Sequence, residues 1–114
     1  MNYLGVLNEL GHASLALSVY RERSERSEAI YANAIKSAIQ LGAEGYDVGL
    51  QILDEALQRF PTRAHSKLSW NGACVCALAG RPEQARALRD EALRLAGNER
   101  NEILNDPELA SITP

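Results

Sequence analysis

The amino-acid sequence predicts an all-α fold within one domain of 114 residues. Leucine and alanine, which favour helices, dominate the composition, whereas aromatic residues make up only 5% of it. No segment alternates β-branched and polar residues over the length of a strand. Apolar residues instead recur at the spacing of a helix. Glycine or proline interrupts most of these runs, so we expect short helices that fold back on each other as antiparallel pairs.

The first predicted pair flanks Gly11. Residues 2–10 have room for about two and a half helical turns, and Gly11 supplies the left-handed backbone that ends many helices. A second helix is predicted over residues 14–20. These residues therefore form a short hairpin.

A charged stretch with the sequence RERSERSE occupies residues 21–28. On a helical surface Arg21 would face Glu25, and Glu22 would face Arg26, because residues four apart are neighbours. We interpret the stretch as a solvated helix end or linker. A charged docking site is the alternative interpretation.

The second predicted pair is formed by residues 28–41 and 46–60, where apolar side chains recur at helical spacing. Gly42 ends the first of these helices, which could start as early as Ser24. Pro61 stops the second helix. This hairpin is therefore longer than the first.

The third pair has the clearest boundaries. Residues 70–79 are mostly small and apolar, which indicates a helix that neighbours cover on more than one side. Gly80 ends this helix, and Pro82 followed by Glu83 begins the next. The apolar residues of the next helix, over residues 82–96, share a single stripe. Only one side of that helix therefore needs a partner.

Two further helix starts are predicted from capping residues. Thr62 or Ser66 can cap the first helix of the third pair. Asp106 followed by Pro107 is typical of a helix N-terminus. We interpret residues 98–112 as a terminal cap, because the last unit of a helical stack would otherwise expose its apolar flank.

Internal periodicity divides the chain into three units, at about residues 2–23, 28–61 and 63–97. Each unit has a small residue shortly after its turn and a large aliphatic residue one helical turn later. Small residues allow helices to approach closely, and aliphatic side chains fill the groove beside them. The small residues are Ala16, Gly49 and Ala85, and the aliphatic residues are Val19, Ile52 and Leu88.

The composition argues against nucleic-acid and membrane partners. A net charge of −3 provides no basic surplus, and the arginines after residue 80 are interleaved with acidic residues. The first basic residue is Arg21, so the chain lacks the basic start of a secretory signal, and its apolar segments are too short to span a membrane. We expect a cytoplasmic protein.

Residues that carry chemistry are sparse. His12 and His65 are far apart in the sequence, and no nucleophile, acid–base pair or phosphate-binding loop is apparent. Cys74 and Cys76 point to different sides of a buried helix, which favours two reduced core residues over a disulfide or a metal site. We therefore expect neither an enzyme nor a bound cofactor.

The third unit, WNGACVCALAGRPEQARALRDEAL, resembles the tetratricopeptide repeat, which places small residues at fixed positions and a glycine between two helices. The matching residues here are Ala73, Gly80, Ala85 and Ala92. The second unit matches at Ser37, Gly49, Ala56 and Pro61, with Glu44 in place of the turn glycine. The first unit matches at Gly11 and Ala16, but Arg23 occupies a small-residue position. The tail NEILNDPELASI resembles the segment that often follows the final repeat in bacterial members.

The resemblance implies a right-handed superhelix whose first helices line a concave groove for a peptide or helix of another protein. Trp70 would anchor such a ligand, or alternatively pack under the preceding unit. Asn71 could hydrogen-bond a peptide backbone, or alternatively fix adjacent units. The implied groove residues are Tyr31, Ala34, Ile35 and Ala38 in the second unit and Lys67, Trp70, Asn71, Cys74 and Leu78 in the third.

The leading functional prediction is a non-catalytic adaptor or chaperone-like module that holds a segment of a partner protein. The alternative is a scaffold protein that associates with itself, because an apolar flank of the N-terminal unit could pair with its copy in a homodimer. This flank consists of Tyr3, Leu4, Val6, Leu7 and Leu10.

Overall fold

A computed structural model describes residues 3–112, and all its regular elements are helical, which confirms the all-α prediction for this range. Two short 3₁₀ segments, Gly42–Gly45 and Pro107–Ile112, accompany seven α-helices in the described part. The α-helices are α1 (Tyr3–Glu9), α2 (Ala13–Glu22), α3 (Glu28–Gln40), α4 (Tyr46–Arg59), α5 (Ser66–Leu78), α6 (Pro82–Leu95) and α7 (Arg100–Leu104).

Consecutive helices pack as three pairs, α1 with α2, α3 with α4 and α5 with α6. Helix α3 lies at the centre of the fold, because it also contacts α1, α2 and α5. None of the helices between residues 3 and 112 is long and apolar enough to cross a membrane.

Glycine ends the first helix of each pair, as predicted. Gly11, Gly42 and Gly80 have φ angles of 79°, 78° and 80°, a left-handed conformation that other residues adopt only with strain. In the second pair the turn glycine is therefore Gly42. The repeat pattern had placed the turn glycine two residues later, at the position of Glu44.

The connection between α2 and α3 is a linker, one of the two forms expected for residues 21–28, and α3 does not extend back to Ser24. The second helix ends at Glu22, and α3 begins at Glu28, not at Ser24, because the Ser27 hydroxyl accepts a hydrogen bond from the Ile30 N–H at 3.2 Å and caps the helix. A continuous helix would have placed Arg21 beside Glu25 and Glu22 beside Arg26, but the helix is interrupted after Glu22. Arg26 instead forms an ion pair with Glu55 of α4 at 2.9 Å.

The start of α5 also departs from the prediction, since neither Thr62 nor Ser66 is its capping residue. The helix begins at Ser66, and the side chain of the preceding residue makes no capping hydrogen bond. The carboxylate of Glu28 instead accepts hydrogen bonds from the N–H groups of Ala64 at 2.9 Å and His65 at 3.4 Å. A side chain from the preceding pair therefore fixes the loop that leads into α5.

The C-terminal segment has the predicted cap. The Asp106 carboxylate accepts a hydrogen bond from the Glu108 N–H at 2.9 Å at the start of the final 3₁₀ segment. Leu109 and Ile112 are buried, and the segment packs on both α5 and α6. Residues 106–112, called the C-terminal segment below, therefore cover the last helix pair.

Candidate functional site

A groove lies between α3, α5 and the C-terminal segment, with a cavity volume of about 150 Å³. Polar and charged side chains from all three elements surround it. The lining residues are Asn33, Lys36 and Ile39 of α3, Lys67, Trp70 and Asn71 of α5, and Asp106 and Glu108.

The structure brings three of the predicted binding residues together at this groove, namely Lys67, Trp70 and Asn71. Lys67 is exposed, and the other two are half-buried. Leu78 is also half-buried but does not line this groove, and Cys74 is buried beneath it.

The predicted contribution of α3 requires correction. Tyr31, Ala34, Ile35 and Ala38 are fully buried in the core, so they cannot face an open groove. Their side of α3 is covered by neighbouring helices, and the Tyr31 ring lies 6.1 Å from the rings of both Tyr20 and Phe60.

The residues that α3 does present to the groove were missed, because the repeat resemblance assigned the binding face to another side of this helix. Asn33 and Lys36 lie one helical turn apart and outside the core. Their polar character at helical spacing was the available sequence signal. The two acidic residues of the C-terminal segment were missed because their position depends on tertiary folding.

Asp106 connects the C-terminal segment to α5. The Trp70 Nε1–H donates a hydrogen bond to its Oδ2 at 2.7 Å, and the Cys74 thiol donates to the same oxygen at 3.5 Å. Because the other carboxylate oxygen caps the 3₁₀ segment, one side chain both starts that segment and attaches it to the groove.

Asn71 connects α5 to α3. Its Nδ2 donates a hydrogen bond to the Ala32 carbonyl oxygen at 2.8 Å. This is the contact between adjacent units that we expected as the alternative to binding a peptide backbone. Asn71 also lines the groove.

The electrostatics of the groove are set by two lysines and two carboxylates. Burial and the nearby Asp106 charge raise the pKa of Glu108, while Lys36 acts in the opposite direction. Lys36 and Lys67 are exposed, and no ion pair holds either of them among residues 3–112. They are also the only two lysines in the sequence.

Cys74, Asp106 and Glu108 have possible metal-binding atoms within 4.8 Å of one another. However, burial and the neighbouring carboxylates raise the pKa of the Cys74 thiol, so its thiolate form is disfavoured. Asp106 is already engaged by Trp70. This donor set therefore favours hydrogen bonding within the chain over metal coordination, and we assign no metal to it.

A separate polar cluster joins the first two helix pairs. Glu55 Oε2 accepts hydrogen bonds from Tyr31 at 2.6 Å, from Arg26 at 2.9 Å and from Tyr20 at 3.3 Å. The hydrogen bond from Tyr31 is the main reason that the pKa of Glu55 is lowered. Burial raises the pKa of Tyr20 to about 12, so its hydroxyl stays protonated and available as a donor. We interpret this cluster as a structural connection.

Part of the predicted dimerisation flank is buried within the chain and cannot contact a second copy. Leu4 and Leu7 are buried, so their assignment to an exposed flank is wrong, and the side chain of Tyr3 lies outside the described residues. Val6 is half-buried, whereas Leu10 is 65% exposed.

Leu10 belongs to a different exposed surface, which we call the N-terminal turn surface. It comprises Leu10 and two other exposed leucines, Leu15 and Leu41, beside the turn between α1 and α2. Leu15 and Leu41 line an adjoining cavity of about 620 Å³.

Comparison of the chain with known protein families, curated proteins and solved structures gave no match.

Proposed function

We propose that this protein is a non-catalytic interaction module, of the adaptor or chaperone-like kind, that binds a segment of another protein in the groove between α3 and α5. The observation that carries the proposal is the placement of both lysines of the chain at this groove, beside the sole tryptophan. Exposed cations next to a half-buried aromatic side chain provide charge attraction and an apolar anchor for a peptide.

We also propose that the helix pairs form the right-handed superhelix of a tetratricopeptide-like protein. The three small residues of the repeat pattern, Ala16, Gly49 and Ala85, are all buried, which supports close packing within the pairs. A Cβ on Gly49 would lie only 2.8 Å from Val75 Cγ2, so α4 and α5 approach closely there.

Charge reversal of the two lysines tests the binding proposal. Peptides are first selected from a displayed random-sequence library on the full chain. Their affinity is then measured for the wild-type protein and for the Lys36→Glu, Lys67→Glu double variant. We expect the double variant to bind about tenfold more weakly or worse, because two attractive charges become repulsive.

The control is Arg86→Glu, which reverses an exposed cation of α6 away from the groove residues. It should leave the affinity of the selected peptides unchanged. Equal binding by all three proteins would contradict a site at this groove.

The second candidate is self-association, which the N-terminal turn surface favours. Three exposed leucines lie near one turn, and two of them line the same cavity, so a second copy could cover them. Sedimentation at high concentration should show a dimer for the wild-type protein and a monomer for Leu15→Glu. A wild-type protein that remains monomeric would contradict this candidate.

A further inference from the structure

The C-terminal segment leaves little room for a ligand in the groove. The cavity of about 150 Å³ is smaller than the several hundred Å³ of a typical ligand pocket. Two of its lining residues, Asp106 and Glu108, belong to the C-terminal segment itself. A peptide can therefore fill the groove only if this segment moves away.

The contacts of the C-terminal segment follow a simple pattern. Asp106 accepts the Trp70 N–H, and the aliphatic side chains three and six positions later, Leu109 and Ile112, are 1% and 2% exposed. Arg89 donates a hydrogen bond from Nη1 to the Ile112 carbonyl oxygen at 3.0 Å. The segment thus provides one carboxylate and two aliphatic anchors.

We propose that the C-terminal segment, which forms one wall of the groove and packs on α5 and α6, covers part of the binding site, and that partner segments with the same pattern bind by displacing it. This inference rests on the proposed function. A replacing segment must accept the Trp70 N–H and cover the apolar surface that Leu109 and Ile112 leave. It therefore carries an Asp or Glu followed by aliphatic residues at the third and sixth positions, and exposed Lys36 and Lys67 favour further acidic residues.

The test uses the full chain and a labelled synthetic peptide, LNDPELASI, which repeats residues 104–112. In the Asp106→Asn variant the internal segment loses its charged contact with Trp70, so it competes less well with the added peptide. We expect this variant to bind the peptide at least about tenfold more tightly than the wild-type protein does. The control is Asp47→Asn, an exposed aspartate of α4, which should bind as the wild-type protein does.

The fluorescence of Trp70, the sole tryptophan, reports directly on the groove. It should change on peptide binding, and a peptide with asparagine in place of its aspartate should bind more weakly. Equal affinity of the wild-type and Asp106→Asn proteins would overturn the inference. If that equal binding still requires the two lysines, the proposed function stands without an internal competitor.

Two further measurements cover other outcomes. Hydrogen exchange of the wild-type protein should show faster exchange at residues 108–112 than in α5, because displacement requires local opening. If residues 108–112 and α5 both exchange only through global unfolding, the inference is overturned. Because this measurement uses the wild-type protein, it applies even if the Asp106→Asn variant does not fold. An Asp106→Asn dimer that the peptide fails to dissociate would show that a second copy fills the groove, and would overturn the assignment to a partner protein.

Discussion

Glu91 shows how a single carboxylate joins separate parts of this chain. Arg63 donates hydrogen bonds to its two oxygens at 2.7 and 2.8 Å, and the Ser69 hydroxyl donates a further one. The Arg63 and Glu91 side chains are only 14% and 17% exposed, so water screens this pair weakly. The loop before α5, α5 itself and α6 are thereby held together.

Replacing Glu91 with glutamine tests this connection. The variant should lose about 2 kcal/mol of unfolding free energy, because the largely buried Arg63 loses its charged partner. Chemical denaturation measures the difference. Asp54→Asn removes an exposed carboxylate from the middle of α4, and its stability should stay within about 0.5 kcal/mol of the wild-type value.

The ion pair between Arg63 and Glu91 predicts that the free energy of unfolding depends on pH. Burial acts to raise the pKa of Glu91, but hydrogen bonds from Arg63 and Ser69 outweigh it and hold the pKa below its ordinary value of 4.5. The stabilisation is therefore complete above that value and is lost as pH falls through the lower pKa of the folded state. The stability difference between wild-type and Glu91→Gln proteins should shrink as the pH falls below 4.5. A difference that stays constant would show that the charge is not responsible.

At the scale of helices, small residues set how closely neighbouring elements pack. A Cβ on Gly49 would lie 2.8 Å from Val75 Cγ2 and 3.3 Å from Ala38 Cβ. Neither neighbour can move easily, because Val75 is β-branched and the Ala38 Cβ is fixed to its backbone. Helices α3, α4 and α5 therefore meet at a position that only glycine fits.

Gly49→Ala should destabilise the protein by about 1 kcal/mol, since overpacking exceeds the gain in helix propensity. The matched control is Gly5→Ala in α1, where the nearest atom would lie 3.6 Å away, an ordinary contact. That variant should be as stable as the wild-type protein or slightly more stable. Thermal or chemical unfolding measures the stability of both variants. Equal stabilities would contradict the close packing of helices at Gly49.

Most helix boundaries could be predicted from the sequence because their signals are local. Gly11, Gly42, Gly80 and Pro82 act on the backbone next to them, so the turns and the start of α6 lie where we expected. The cap at Asp106 follows the same rule.

The groove itself was only partly predictable. Lys67, Trp70 and Asn71 were identified, but the face that α3 presents depends on which of its sides the other helices cover. Contacts between residues that are far apart in the sequence could not be predicted either. The hydrogen bond between Trp70 and Asp106 and the ion pair between Arg26 and Glu55 exist only because the fold brings these residues together.

For the whole molecule, the groove between α3 and α5 is the surface where both lysines of the chain meet two carboxylates of the C-terminal segment. The chain carries a net charge of −3, yet its only two lysines lie on adjacent first helices at the same groove. The C-terminal segment places two acidic residues there, Asp106 and Glu108. This groove is therefore the proposed binding surface.

The affinity of a library-selected peptide for the wild-type protein and for the Lys36→Glu, Lys67→Glu double variant tests this claim most directly. We predict a loss of about tenfold or more in the double variant and none in Arg86→Glu. Both variants should retain the helical circular dichroism and unfolding transition of the wild-type protein, since all three residues are exposed. A folded double variant that binds the peptide as tightly as the wild-type protein would contradict the account.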